Sequence, residues 1–392
     1  MRPDQFEVPT FGQACQDDDS RYWWFRPAPL PRELPLDAET QLALSEADAA
    51  LGRLSGVGGM LRNPRLLMRP YAVREALASA RIEGTQASLT DVFQAESSHA
   101  RARERDIREV TAHVEALETG LTLAIDHLDL SALFEVHKTL MSTIAGSSIG
   151  GSIRKGPVWL GSPTQSPETA IFVPPVGDAI NESLDDWQDY LKNPPRVPVL
   201  VRAALLHYQF LTIHPFSDGN GRVGRMLVLL FLRQQDRLSV PLLYVSPYFA
   251  ARRREYYDRL QAVRERGEIQ QWLQFFLTAV AAQADDGVLR SRELLSLRER
   301  YRAELAGSRS RAIEVVELLF MNPIITTSLI RRKLEITNQG ALNLIRSLAG
   351  RGWLSEIGVS GKGGGTVWIA NEVYGAIAGD EAHESDGRTF AI

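Results

Sequence analysis

Two apolar runs, Val199–Ile213 and Met226–Leu232, constrain the fold more than any other feature of this chain. Each reads as a helix that is apolar on nearly every side, and such a helix is stable only when other segments bury it. The longer uninterrupted stretch, Met226–Leu232, falls far short of the roughly 20 apolar residues that span a bilayer, so no membrane association is expected. With 392 residues the chain exceeds what one core usually organises, and two or three units are expected. Apolar residues at 44% and charged residues at 23% are ordinary globular values. The net charge of −4 excludes a chain that binds nucleic acid over its whole surface, though not a local basic patch. Cys15 is the only cysteine, which excludes an internal disulfide and a Cys-rich zinc site. With no signal-peptide pattern at the N-terminus, the expected location is cytoplasmic.

Along the chain, helical periodicity dominates. Residues 1–36 read as an extended arm, with five prolines between Pro9 and Pro35 and an aromatic cluster at Tyr22, Trp23, Trp24 and Phe25 that anchors it to a neighbouring surface. Residues 37–103 read as an N-terminal helical region. Its first helix carries Leu42, Leu44, Ala47, Leu51 and Leu54, and Pro70 opens its second at the first helical position, which runs to Gly84. A core follows over 104–285, with helices at 104–126, 131–145, 180–191, 198–213, 221–235, 252–266 and 269–284. Between them, Pro157–Leu160 and Ala170–Val173 flank a turn-forming stretch and predict a hairpin. Residues 286–306 read as a linker helix. Residues 307–378 give three short helices, then strands at 353–357 and 366–369 around the glycine loop 361–365, the pattern of a winged helix-turn-helix. The tail 379–392 is polar and expected to be disordered. The expected class is therefore mostly α, with a small hairpin and a winged unit.

The chemistry sits between the two buried helices, in His214-Pro215-Phe216-Ser217-Asp218-Gly219-Asn220-Gly221-Arg222-Val223-Gly224-Arg225. Gly219 and Gly221 let the backbone turn tightly and approach a ligand, and the N–H groups there open the following helix, which suits an anion. Arg222 and Arg225, three apart, share a helical face above that loop and suit a polyphosphate. Asp218 belongs beside phosphate only with a bridging Mg²⁺, which typically takes one carboxylate. His214 could remove a proton from an incoming hydroxyl. Together these predict phosphoryl or nucleotidyl transfer.

This run resembles the signature of the Fic (filamentation induced by cAMP) family, His-x-Phe-x-Asp-Gly-Asn-Gly-Arg-x-x-Arg, at every specified position, and the likeness extends over roughly residues 40–285. The resemblance implies a helical Fic core that moves AMP from ATP to Ser, Thr or Tyr of a protein, the chain itself included. It implies His214 as general base, Asp218 on Mg²⁺, and Gly219, Asn220, Gly221, Arg222, Val223, Gly224 and Arg225 around the phosphates, with Arg225 on the γ-phosphate and Phe216 in the core. The stretch Ile171-Phe172-Val173-Pro174-Pro175 is similar to the family's target-docking flap. Tyr256 and Tyr257, with Arg264 downstream, look like the segment closing over the base. Ser79-Ala80-Arg81-Ile82-Glu83-Gly84 matches the family's inhibitory pattern, in the class that places it N-terminal to the core; Glu83 would then pair with Arg225 and block the productive γ-phosphate position.

Other readings of these residues are bland or rival. His137 and His207 read as structural, and a metal triad of His207, His214 and Asp218 lacks a local partner for His207. Gly361-Lys362-Gly363-Gly364-Gly365 fails as a phosphate loop, because no Ser/Thr follows the lysine; a wing tip accounts for it better. Removal of AMP from a modified protein would use the same residues, with Glu83 orienting a water. A nucleotide-sensing transcriptional regulator is the rival of a different class, since Asn338, Gln339, Asn343 and Arg346 are types that can read base edges in DNA. A kinase-like reaction, as in the related Doc toxins, is disfavoured because the Asp218–Arg222 run is intact. Whether the chain forms a homodimer stays open.

Overall fold

The computed structural model describes residues 1–16, 21–61, 63–98, 105–124, 127–142, 149–161, 166–307, 310–360 and 365–379. The tail 380–392, most of the wing tip and parts of the expected helices 104–126 and 131–145 lie outside these. Among the described residues no helix is long and apolar enough to cross a membrane.

The N-terminal arm is more regular than its prolines suggest. Strands β1 (Gly12–Cys15) and β2 (Trp24–Pro27) form an antiparallel ladder from Gly12↔Pro27 to Cys15↔Trp24. Trp24 and Phe25 are buried, and with Phe172, Val173 and Ala179 they form a small apolar cluster apart from the main core. The prolines exclude a long helix but allow the short 3-10 turns Pro3–Gln5 and Pro9–Phe11 and a short edge ladder.

Helices follow: α1 (Ala38–Gly59), α2 (Arg65–Ile82), α3 (Leu89–Ser98), α4 (Arg105–Leu123), α5 (Leu130–Ser142), α6 (Asp178–Lys192), α7 (Val199–Ile213), α8 (Asn220–Gln234), α9 (Ser246–Ala251), α10 (Arg253–Arg266) and α11 (Ile269–Glu304). Asp37 caps α1 by accepting from the Thr40 N–H. Pro70, expected to open α2, lies inside it, because the helix already starts at Arg65. As its runs predicted, α7 is buried from Leu200 to Ile213, and α8 is buried from Arg222 to Leu232. α4 and α5 pack on each other and on α8, and α2 lies against α4, α8 and α9. Glu75 of α2 ties it to α9: its carboxyl accepts from the backbone N–H and hydroxyl of Ser246, and burial pushes it up to about 7.

The expected core and linker helices merge into the single helix α11, which packs along α1. Gly287 sits mid-helix there because a Cβ would press on the Leu54 side chain, 2.9 Å away. The C-terminal unit contains α12 (Ala312–Met321), β3 (Ile324–Thr326), α13 (Thr327–Leu334), α14 (Asn338–Ala349), β4 (Ser355–Ser360), β5 (Gly365–Ile369) and α15 (Asn371–Ala378). Its antiparallel sheet has the order β3-β5-β4. Thr326 and Thr337 cap α13 and α14. The winged unit is docked, not tethered. α12 and α15 pack on α2, Asn322 donates to the Phe93 carbonyl at 2.9 Å, Thr326 donates to the Ser97 carbonyl at 3.2 Å, and Tyr301 of α11 stacks on Trp353 with centroids 4.0 Å apart.

Candidate active site

The loop 214–219 joins the C-terminus of α7 to the N-terminus of α8, and its shape is fixed by its own residues. Asn220 is buried, and its side chain grips Phe216 twice: Oδ1 accepts from the Phe216 N–H and Nδ2 donates to the Phe216 carbonyl, both at 2.8 Å. Phe216 is fully buried and stacks on the His137 ring, centroids 3.7 Å apart. His137 Nδ1 accepts from the Gly151 N–H, so Nε2 carries the proton and donates to the Asp218 carbonyl, each at 3.0 Å. Burial pushes that ring down to about 4, so it stays neutral. His137 thus fixes the position of Asp218. Of the residues expected on phosphate, Asn220 uses its side chain to lock the loop, and the Val223 side chain lies in the core.

His214 adopts the left-handed conformation, φ 52 and ψ 59, which turns the chain off α7 and sets the ring at the loop's edge. Its Nδ1 lies 3.2 Å from the Leu211 carbonyl, which can only accept, so Nδ1 carries the proton. The Nε2 lone pair is left without a protein partner among the described residues. Burial, then the charges of Arg154 and Arg264, push the ring down to about 4 against the pull of the Leu211 bond. A base works in its neutral form, so kcat/KM should climb as pH rises through about 4 and stay level from about pH 6 to 8. An inflection near neutrality that vanishes in a His214 variant would contradict this.

At the start of α8, Gly219 has φ 80 and packs against Leu140, Met141 and His137. Arg222 is 5% exposed, and its Nε and Nη1 lack hydrogen-bond partners among the described residues. Its nearest anions are Asp218 at 3.4 Å and Glu109 of α4 at 4.0 Å. A buried guanidinium so poorly satisfied, at a helix N-terminus, is built for an anion the chain itself does not supply. Asp218 by contrast is more than half exposed, at 58%.

Arg225 is fully engaged, and by α2. Its Nε donates to Ser79 Oγ at 2.8 Å, and its Nη2 donates to the Ser79 carbonyl at 3.0 Å and to Glu83 Oε1 at 2.7 Å. A Cβ on Gly221 would collide with Glu83 Oε1 and press on Arg225 Nη1. The carboxylate therefore lies over the first turn of α8, where a bound anion would otherwise approach. Arg253 of α10 donates to the Ile82 carbonyl at 2.7 Å, which holds the end of α2 in place.

The remaining sequence candidates divide. Tyr256 is fully buried, stacked on Phe249 at 4.5 Å, with its hydroxyl 2.9 Å from His207 Nε2 and close to the Arg225 guanidinium. Tyr257, 39% exposed and near Arg253, is the member of the pair that borders the site. Arg264 is also buried: it donates to Thr212 Oγ1 and lies 4.0 Å over the Phe172 ring. Among the described residues the expected hairpin reduces to one bridge, Leu160↔Phe172. Phe172, Val173 and Pro174 are buried and Ile171 is 55% exposed. Pro157, Pro174 and Pro175 lack the N–H donors a longer ladder needs, and the Val173 carbonyl is taken by the Phe25 N–H of β2 at 2.8 Å. His137, Glu109 and Arg154 were not singled out from the sequence as site residues. Their contacts are to distant segments, and nothing local marks them.

Comparisons with known proteins place the chain beside Fic/DOC proteins. Residues 41–122 match the Fic/DOC family N-terminal model, 127–232 match the Fic/DOC family model, and 313–355 match an HTH DNA binding domain. A protein adenylyltransferase Fic from Culex quinquefasciatus is 31% identical over 157 residues, which are 38% of this chain and 27% of that relative. Its counterpart from Drosophila willistoni is 26% identical over 61% of this chain and 46% of its own length. The chain thus spans between about a quarter and a half of these curated relatives. A Fic family protein from Desulfovibrio desulfuricans G20 shares the fold, with a TM-score of 0.56 at 21% identity over 88% of this chain and 98% of that one. Fic-1 from C. elegans gives 0.52 at 21% identity over 66% of this chain and 74% of that one.

Proposed function

The chain carries the two Fic/DOC family domains joined to a helix-turn-helix unit, and from that premise we propose that it transfers AMP from Mg-ATP to a hydroxyl of a protein and releases pyrophosphate. The observation that carries this reading is a neutral His214 with an unbonded Nε2 beside a helix N-terminus bearing two buried arginines. His214 Nε2 takes the proton as the target oxygen bonds to the α-phosphorus, and the bond to the pyrophosphate oxygen breaks. Arg222 offers its unpartnered nitrogens to the phosphates, and the α8 N–H groups add to that field. Arg225 reaches the terminal phosphate only when Glu83 has left it.

Asp218 is the residue that would hold Mg²⁺. The fit is that of a phosphate-bridging ion: no group of three or more His, Cys, Asp or Glu side chains forms a cage among the described residues, and one exposed carboxylate beside an anion site suffices for Mg²⁺. When bound, the ion supplies charge neutralisation on the polyphosphate. The discriminating assay compares label from α-³²P-ATP and γ-³²P-ATP in a cell lysate with Mg²⁺. Protein label from the α position alone supports AMP transfer, and label from the γ position alone means a kinase-like enzyme.

The winged unit supports a second activity, binding of double-stranded DNA. Gln339, Asn343 and Arg346 lie on one exposed face of α14, with Arg331, Arg332 and Lys333 exposed at the end of α13. Arg346→Ala should weaken a site-specific gel shift by about tenfold or more and relax specificity at one position. A shift that smears and disappears between low and physiological salt, unchanged in the variant, would show only unspecific charge attraction.

A further inference from the structure

We propose that Arg154 is a positioning residue for this reaction: it fixes the flap over His214, so that the base and the edge that presents the target hydroxyl are held as one unit. The proposal rests on the AMP-transfer reading.

Arg154 is 5% exposed, and its guanidinium is spent on main-chain carbonyls. Nε donates to the His214 carbonyl at 2.8 Å. Nη2 donates to the Pro175 carbonyl at 2.6 Å and to the Ile213 carbonyl at 3.3 Å, and Nη1 donates to the Gly156 carbonyl at 3.0 Å. Its backbone N–H donates to the Pro215 carbonyl at 2.9 Å. Gly156 and Pro175 are the two stems of the flap, and Ile213, His214 and Pro215 are the turn that aims the catalytic ring. One planar fork therefore joins both stems to the turn.

The chemistry suits this work. The last carbonyls of α7 have no partners within the helix and carry the negative end of its dipole, so a cation is favoured there. Among the described residues no carboxylate pairs with Arg154, and four main-chain carbonyls surround its guanidinium instead. Burial pushes Arg154 down to about 10, which leaves it charged at neutral pH. Holding the His214 carbonyl also holds ψ of a residue in the left-handed region, and so the direction of its ring. Lysine offers three donors from one point and cannot reproduce the fork. Sequence reasoning passes over this residue because an arginine preceding a hairpin is usually a surface cation.

The test is run in a Glu83→Gly background with lysate protein as acceptor. Transfer of label from α-³²P-ATP, binding of Mg-ATP by calorimetry, and tryptic cleavage at the neighbouring Lys155 are measured together. Arg154→Met should lower transfer about 30-fold or more, leave the Mg-ATP dissociation constant within about threefold, and speed cleavage at Lys155. Arg154→Lys should fall between Met and parent. Parental transfer by Arg154→Met would overturn the proposal, and so would a loss of Mg-ATP binding as large as the loss of transfer. If the Glu83→Gly parent itself transfers no label, the AMP-transfer reading fails; faster Lys155 cleavage in Arg154→Met then still establishes that Arg154 holds the flap, and unchanged cleavage refutes that too.

Discussion

Replacing Glu83 with glycine should raise AMP transfer from α-³²P-ATP by at least about tenfold, equivalent to roughly 1.4 kcal/mol of recovered transition-state stabilisation. The glutamate is the only acidic group on Arg225 among the described residues, at 2.7 Å, and the arginine side chain is 1% exposed. An anionic ligand cannot share that guanidinium with a carboxylate in so enclosed a place without strong repulsion. Glycine at position 83 removes the carboxylate and frees the space above Gly221, while Ser79 still accepts two hydrogen bonds from Arg225 and keeps the arginine aimed. Position 83 caps α2 with φ −85 and ψ −3, a conformation glycine adopts without strain. Initial rates at saturating Mg-ATP are the measurement. A variant that transfers no faster than the wild type would remove the inhibitory role from Glu83.

The second large effect concerns the base. His214→Asn should lower transfer by about 10²–10⁴-fold, the usual contribution of a positioned general base. Asparagine is the better choice than alanine, because it tolerates the left-handed backbone found at this position (φ 52) and spares the turn. Binding of Mg-ATP should survive, since the proposed phosphate contacts lie at the start of α8 and not on His214. Equal rates for the variant and the wild type would mean that another group takes the proton. A variant that no longer binds nucleotide would mean that His214 serves the loop more than the chemistry.

The loop 214–225 was legible as a candidate site because its logic is local. A histidine, a carboxylate, glycines and two arginines at fixed spacing can be read without knowing what lies across the molecule. The two apolar runs were legible for a related reason, since a helix apolar on every face has one fate. What escaped depends on long-range contact. Tyr256 and Tyr257 are adjacent in sequence, and only the packing of α9 and α10 decides that the first turns inward to His207. Arg264 carries no sign of the Phe172 ring beneath it. The hairpin expected at 157–173 was sound as a turn pattern, but its prolines and the arm's claim on Val173 leave it a single bridge. The short elements α3, α15, β1 and β2 carry too few residues for periodicity to speak, and their neighbours hold them in place. Pro70 misled because the residues before it already favour the helix it was expected to begin.

The docking of α12 and α15 against α2 has a practical consequence for anyone who trims this protein. The helix that ends in Glu83 is wedged between two bodies, and its outer face is kept dry by residues that a shortened version ending before position 312 would lack. Such a fragment would present wet apolar surface on the very element that restrains Arg225. Any rate measured on it would report the damage of the cut as much as the proposed restraint, so the uncut 392-residue chain is the proper reference.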